Sequence, residues 1–216
     1  MALILFDYDG VLADTLGDMI LFAQQVCDEL GVDHIVTPQD LNSLEIMSFA
    51  TYGQQLGVPE HLVDEFVRRA IKKFNGKDTP PELFTGMHEV VKKLSVYNSI
   101  AIVTGSAAPS VKNFLAAHGL LEYVQAIYGL DMPGSKSEKI LSAKTRFAQD
   151  NENIYLVGDS LSDIRAAKET NIKSIAVSWG HQSLEKLSSA APDHLVHSPQ
   201  ELFETLTKAE TQSRLL

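Results

Sequence analysis

The stretch Leu3-Ile4-Leu5-Phe6-Asp7-Tyr8-Asp9-Gly10-Val11-Leu12-Ala13-Asp14 decides how the rest of the chain is read. Its opening run is apolar, uncharged and too short for a helix, the pattern of a strand buried on both faces. The run ends in two carboxylates one residue apart, followed by a glycine that lets the backbone turn sharply. Two acids at the end of a buried strand are costly unless a cation compensates them. Open α/β sheets bind ligands outside the carboxyl ends of their strands. Asp7 and Asp9 are therefore the first candidates for a metal-assisted reaction. A plain polar turn is the competing reading, because Asp and Gly are ordinary turn residues.

Two later segments repeat the pattern. Ile100-Ala101-Ile102-Val103 runs into Thr104-Gly105-Ser106, and Ile154-Tyr155-Leu156-Val157 runs into Gly158-Asp159-Ser160, with Asp163 following. In a parallel sheet the carboxyl ends of strands share one edge, so these residues converge although they are far apart in sequence. Between them lies Gly134-Ser135-Lys136-Ser137-Glu138-Lys139, which can supply a cation.

The set Asp7-x-Asp9-Gly10, Thr104 after a strand, Lys136, and Gly158-Asp159-Ser160-x-x-Asp163 resembles the haloacid dehalogenase-like hydrolases in order and spacing. The likeness runs from Leu3 to about Phe203. It implies an α/β fold with a Rossmann-like doubly wound parallel sheet. It also implies Asp7 as nucleophile, Asp9 as acid and base, and Mg²⁺ held by Asp7, the main-chain carbonyl of Asp9, and Asp159. Thr104, Gly105 and Lys136 would bind phosphate. Lys136 is followed by Ser137 where many relatives carry Pro, which leaves Lys139 as a rival. Asp163 reads both as the capping partner of Ser160 and as a hydrogen-bonding group for metal-bound water.

Working outward, Leu16, Met19, Ile20, Ala23, Cys27 and Leu30 recur at helical spacing, with Gly31 as the stop and Asp14 as the expected cap. Thr37-Pro38 opens another helix, and Glu60 to Phe74 gives a third with one apolar side. No strand pattern interrupts this region. The expected division is residues 1–14 and 82–216 as the core and 15–81 as a helical cap, with Asn75 to Pro81 as a hinge. By resemblance this is a C1-type cap of the phosphoglycolate phosphatase and β-phosphoglucomutase-like branch, a lid over the site. From Thr85 onward helices at 86–95, 109–118, 137–149 and 161–170 alternate with strands at 99–103, 125–128, 153–157 and 173–177. A helix at 183–190, a strand at 194–196, a helix at 199–208 and a frayed tail from Glu210 complete the pattern.

Composition narrows the function. The formal net charge of −10 over 216 residues argues against a nucleic-acid binder. No apolar run approaches the ~20 residues that span a bilayer. The N-terminus shows no leader pattern, and a single cysteine, Cys27, fits a reducing cytoplasm. All 18 Lys and Arg residues fall at or after Arg68, whereas twelve of the 28 acids precede it. The seven histidines show no metal-ligand spacing, and Trp179 reads as core packing.

Asp9 separates the chemistries within the resembled family, because its dehalogenases lack the second aspartate. The expectation is a Mg²⁺-dependent phosphomonoester phosphatase, acting through an aspartyl-phosphate on a small phosphorylated metabolite, as monomer or homodimer. Phosphoglycolate phosphatase proper and a sugar-phosphate mutase are the runners-up. A phosphoacceptor signalling module is the alternative from another class, though such modules lack a helical insert after the first strand. With no cation before Arg68, the leaving-group pocket is expected to take uncharged groups, met by Asn42, Tyr52, Gln54 and Gln55.

Overall fold

The computed structural model describes residues 1–77, 79–147 and 153–213, with side chains described to residue 208. Six strands form one sheet: β1 (Leu3–Phe6), β4 (Ser99–Val103), β5 (Ala126–Tyr128), β6 (Ile154–Gly158), β7 (Lys173–Val177) and β8 (His194–Val196). Their order is β5-β4-β1-β6-β7-β8, and every pair is parallel. β1 sits between β4 and β6, with Leu3 opposite both Ser99 and Ile154. The three candidate motifs therefore leave the sheet side by side.

Strand pleating explains why these runs are apolar throughout. Ile4, Phe6, Ile100, Ile102, Tyr155 and Val157 face one side, where they pack with residues of α5 (Met87–Ser95), α6 (Ala108–Ala117) and α10 (Pro199–Ser213). Leu3, Leu5, Ala101, Val103 and Leu156 face the other, against α7 (Lys136–Phe147) and α8 (Leu161–Glu169). Both faces are covered, which makes the sheet doubly wound. α7 is described only to Phe147, so the expected end near 149 lies outside the described residues. α10 is helical through Ser213, further than the expected fraying point, and residues 214–216 lie outside the description.

The chain leaves this layer through β2 (Ala13–Asp14) and returns through β3 (Glu82–Leu83), which pair antiparallel, Ala13 with Leu83 and Asp14 with Glu82. Between them come α1 (Leu16–Leu30), α2 (Pro38–Ser43), α3 (Phe49–Gln55) and α4 (Val63–Asn75), with a 3₁₀ turn at Glu60–Leu62. This insert has its own apolar cluster, built around Val26, Cys27, Leu41, Tyr52, Leu56 and Phe66. Gly31 ends α1 in the left-handed region, φ 70°, as its place after the last apolar residue predicts. Asp14 does not cap α1: it is exposed in β2, and Thr15 holds the cap position. A second contact runs between the far end of the insert and the sheet layer. Gln182 donates to the Leu44 carbonyl at 2.8 Å, Ser183 N–H to Asn42 at 2.7 Å, and Arg165 to the Glu45 carbonyl at 3.0 Å.

Candidate active site

Asp7, two neighbours of the same sign, and a lysine meet where β1 and β6 end. Asp7, Asp159 and Asp163 are buried, and each presents a carboxylate oxygen within 4.8 Å of the others. Lys136, the first residue of α7, donates from Nζ to Asp7 Oδ2 at 2.9 Å and to Asp163 Oδ1 at 2.5 Å. Asp7 Oδ1 accepts the Tyr8 N–H at 2.8 Å. Burial raises the Asp7 carboxyl well above its ordinary value. Lys136 pulls it down, and Asp163 and Asp159 push it up. Burial also raises Asp159, with His181 acting against it and Asp163 with it. Burial alone would lower the Lys136 ammonium, but Asp163 and Asp7 outweigh it, and Lys136 holds its proton above the ordinary value. An all-oxygen set whose crowded charge Lys136 only partly offsets suits a hard divalent cation.

The loop after β6 has two tasks. Ser160 opens α8, and its N–H and hydroxyl donate to Asp163 Oδ2 at 3.1 and 2.6 Å. One oxygen of Asp163 thus fixes the helix start, while the other takes Lys136. Asp163 caps α8 and meets Lys136 with one side chain.

The other candidates lie around this cluster. Asp9 accepts at Oδ2 from the Ser106 hydroxyl at 2.6 Å. Thr104, at the end of β4, is 1% exposed, and its Oγ1 accepts the Ser106 N–H at 3.0 Å. Its hydroxyl proton is left for another acceptor. Gly105 is exposed, and a Cβ there would meet open space. The geometry treats the two rival lysines differently. Lys139 donates to the Thr104 main-chain carbonyl at 3.2 Å and is lowered by burial and by Lys136, whereas Lys136 contacts the carboxylates.

The sequence reading placed Ser106 and His181 near the sheet edge but did not give their partners. Ser106 was visible as a hydroxyl beyond the end of β4, but nothing local ties it to Asp9, 97 residues away. His181 wraps Asp159 from the loop after β7: its N–H donates to Asp159 Oδ2 at 2.7 Å, and its ring Nδ1 lies 3.4 Å from the same oxygen. Its Nε2 is 3.3 Å from Thr15 Oγ1, at the root of the insert. Trp179 packs against the core as expected, and Nε1 donates to the Val11 carbonyl at 3.3 Å. Two glycines make room for Asp159. Gly10 has φ 73°, and a Cβ there would lie 1.9 Å from Asp159 Oδ2; a Cβ on Gly180 would lie 2.3 Å from Asp159 Cβ.

A cavity of about 140 Å³ opens beside Asp9, between the insert and the sheet edge. Tyr8, Asp18, Phe74, Asn75, Lys77, Ser110 and Asn113 contribute to its wall. The expected lining by Asn42, Tyr52, Gln54 and Gln55 is not what the structure shows. None of the four borders the cavity: Asn42 is bonded to Ser183, and Tyr52 is buried in the insert core.

Residues 4–177 match the model of the family described as haloacid dehalogenase-like hydrolase. The chain is 24% identical over 213 residues to a phosphoglycolate phosphatase of Synechococcus elongatus, covering 98% of this chain and 100% of that one. It is 28% identical over 219 residues to a phosphoglycolate phosphatase of Vibrio vulnificus, covering 94% and 95%. Among solved structures it resembles a haloacid dehalogenase-like family hydrolase from Streptococcus pneumoniae, with a TM-score of 0.84 and 22% identity over 95% of this chain and 98% of that one.

Proposed function

The chain belongs to the haloacid dehalogenase-like hydrolases and is a phosphatase of that family, acting on phosphoric monoesters; from that premise we propose that it is Mg²⁺-dependent and works through an aspartyl-phosphate on Asp7. The observation that carries this reading is the meeting of Asp7, Asp159, Asp163 and Lys136, with Asp9 lining an open cavity one residue beyond Tyr8. In this reading the insert, residues 15–81, is a cap that covers the core, residues 1–14 and 82–216.

Asp7 attacks phosphorus, and the bond to the leaving oxygen breaks. Asp9, protonated and held by Ser106, gives its proton to that oxygen. The alcohol departs, and Asp9, now a carboxylate, takes a proton from the water that attacks the aspartyl-phosphate. Inorganic phosphate leaves and Asp7 is regenerated. Lys136 neutralises charge on the phosphoryl oxygens, and the Thr104 hydroxyl donates to one of them. Asp7, Asp159 and the main-chain carbonyl of Asp9 would hold Mg²⁺, which when bound supplies positive charge opposite the phosphate and keeps Asp7 ionised. Asp163 would hydrogen-bond its water ligands.

The substrate on this reading is a small phosphorylated metabolite. The relatives named phosphoglycolate phosphatase make that ester one candidate. The reading is tested by following phosphate release from p-nitrophenyl phosphate with Mg²⁺, with chelator, and in Asp7→Asn. It predicts steady turnover only for wild type with metal. Release that stops after about one equivalent would instead indicate a phosphoacceptor module.

A further inference from the structure

The cavity beside Asp9 contains one cation among its described lining residues, Lys77, and that cation is already engaged. Its Nζ lies 2.6 Å from Asp18 Oδ2, on the first turn of α1. The two side chains are 29% and 18% exposed, so the pair is partly withdrawn from water, where charge attraction is less screened than at the surface.

Several other positive features of the helices around the cavity are engaged elsewhere. The N-terminus of α6 faces it, but the Ala108 N–H donates to Asp131 Oδ1 at 2.7 Å. On α4, Arg69 pairs with Glu29 and Glu65, and Lys73 with Glu29, away from the cavity wall. Among the described residues of the wall, the one lysine is thus already neutralised by Asp18.

What remains for a leaving group is uncharged. The Tyr8 hydroxyl and the Asn113 amide have no hydrogen-bond partner among the described residues. Burial, with Asp9 and Asp18 nearby, raises the Tyr8 phenol above its ordinary value and keeps it a neutral donor. Ser110 donates to Asn75 at 3.1 Å, linking α6 to the end of α4 across the cavity, and both retain further capacity for hydrogen bonds.

We propose that the Asp18–Lys77 pair makes this cavity selective for phosphomonoesters of small uncharged hydroxylated alcohols, and against leaving groups that carry a carboxylate. The inference rests on the phosphatase reading above and departs from the substrate for which the curated relatives are named. A carboxylate placed here must compete with Asp18 for Lys77, and whichever of the two carboxylates loses is left without a counter-charge. A hydroxyl meets Tyr8, Asn113 and Ser110 without that conflict.

The test compares kcat/KM for glycerol phosphate and phosphoglycolate at one ionic strength, with p-nitrophenyl phosphate alongside. Wild type should favour glycerol phosphate. Asp18→Asn frees Lys77 and should shift the ratio toward phosphoglycolate by on the order of tenfold, less at high salt. Lys77→Gln leaves Asp18 unopposed and should shift it the other way. If Asp18→Asn fails to fold, Lys77→Gln carries the test alone. A wild-type preference for phosphoglycolate, or a ratio that neither variant moves as stated, overturns the inference while leaving the phosphatase reading intact. Absence of turnover with all three esters overturns that reading and the inference with it.

Discussion

In the proposed mechanism Asp7 concentrates the chemistry, and its environment makes the prediction at residue scale sharp. Asp7→Asn keeps the side-chain shape but removes the nucleophile, and its one amide oxygen cannot accept from both Tyr8 and Lys136, so turnover should vanish while the fold is retained; activity near wild type would contradict the mechanism. Gly10→Ala probes the same spot from the backbone. At φ 73°, with Asp159 Oδ2 1.9 Å from the new Cβ, the substitution should cost about 1–3 kcal/mol and displace the Asp159 carboxylate, read as a lower melting temperature and weaker Mg²⁺ binding. Cys27 is a counter-example, a nucleophile that the fold disarms. It is fully buried, and burial, with Asp28 and Asp40 nearby, pushes its thiol up to about 11. Iodoacetamide should label it only after denaturation. The meeting of Asp7 and Asp159 was legible because each follows a short apolar strand, whereas Lys136 was singled out by the family resemblance, with Lys139 as its rival. The contacts of Ser106 and His181 were not legible, because their partners Asp9, Asp159 and Thr15 lie far off in sequence.

Among the elements, α2 shows how a local sequence signal becomes stability. Asp40 accepts from the Thr37 N–H and hydroxyl at 2.7 and 2.8 Å and from His34 at 3.1 Å. Burial alone would raise the Asp40 carboxyl, but these partners bring it below its ordinary value. A depressed folded pKa contributes stability that is complete above the unfolded value of ~4 and is lost as pH falls through the folded value. Asp40→Asn should therefore flatten the acid limb of stability against pH, measured by urea unfolding; an unchanged slope would count against the assignment. The elements of the sheet layer were readable from alternation of β and α patterns, because the central strands β1, β4 and β6 are buried on both faces. The docking of the insert's far end was not. Gln182, 2% exposed, accepts the Leu161 N–H and donates to Leu44, a bridge that no periodicity encodes. Gln182→Leu should cost about 1–3 kcal/mol by orphaning the Leu161 N–H at the start of α8.

At the scale of the whole molecule, the uneven charge of the sequence finds its reason. The first basic residues of the chain pair with the early acids, Arg69 and Lys73 with Glu29 and Lys77 with Asp18. The insert thereby supplies the cavity with no unpaired cation among its described residues. The sequence implied a pocket without a cation; Lys77 borders the described cavity, paired with Asp18, and the residues expected in the wall do not border it. Those assumed, Asn42 and Tyr52 among them, are used to dock and fill the insert. No described helix is long and apolar enough to cross a membrane. Removal of metal with EDTA should silence turnover and Mg²⁺ should restore it. Ca²⁺ should support it poorly, because its looser coordination aligns nucleophile and phosphate less well. The central claim, covalent catalysis at Asp7, is tested most directly in Asp9→Asn with an aryl phosphate, whose leaving group needs no proton. With Mg²⁺ present, rapid quenching and peptide mass spectrometry should find a phosphoryl group on Asp7, removable by hydroxylamine, and a burst of about one equivalent of aryl alcohol. An absent burst with no adduct, or a phosphoryl group on any other residue, would contradict the account.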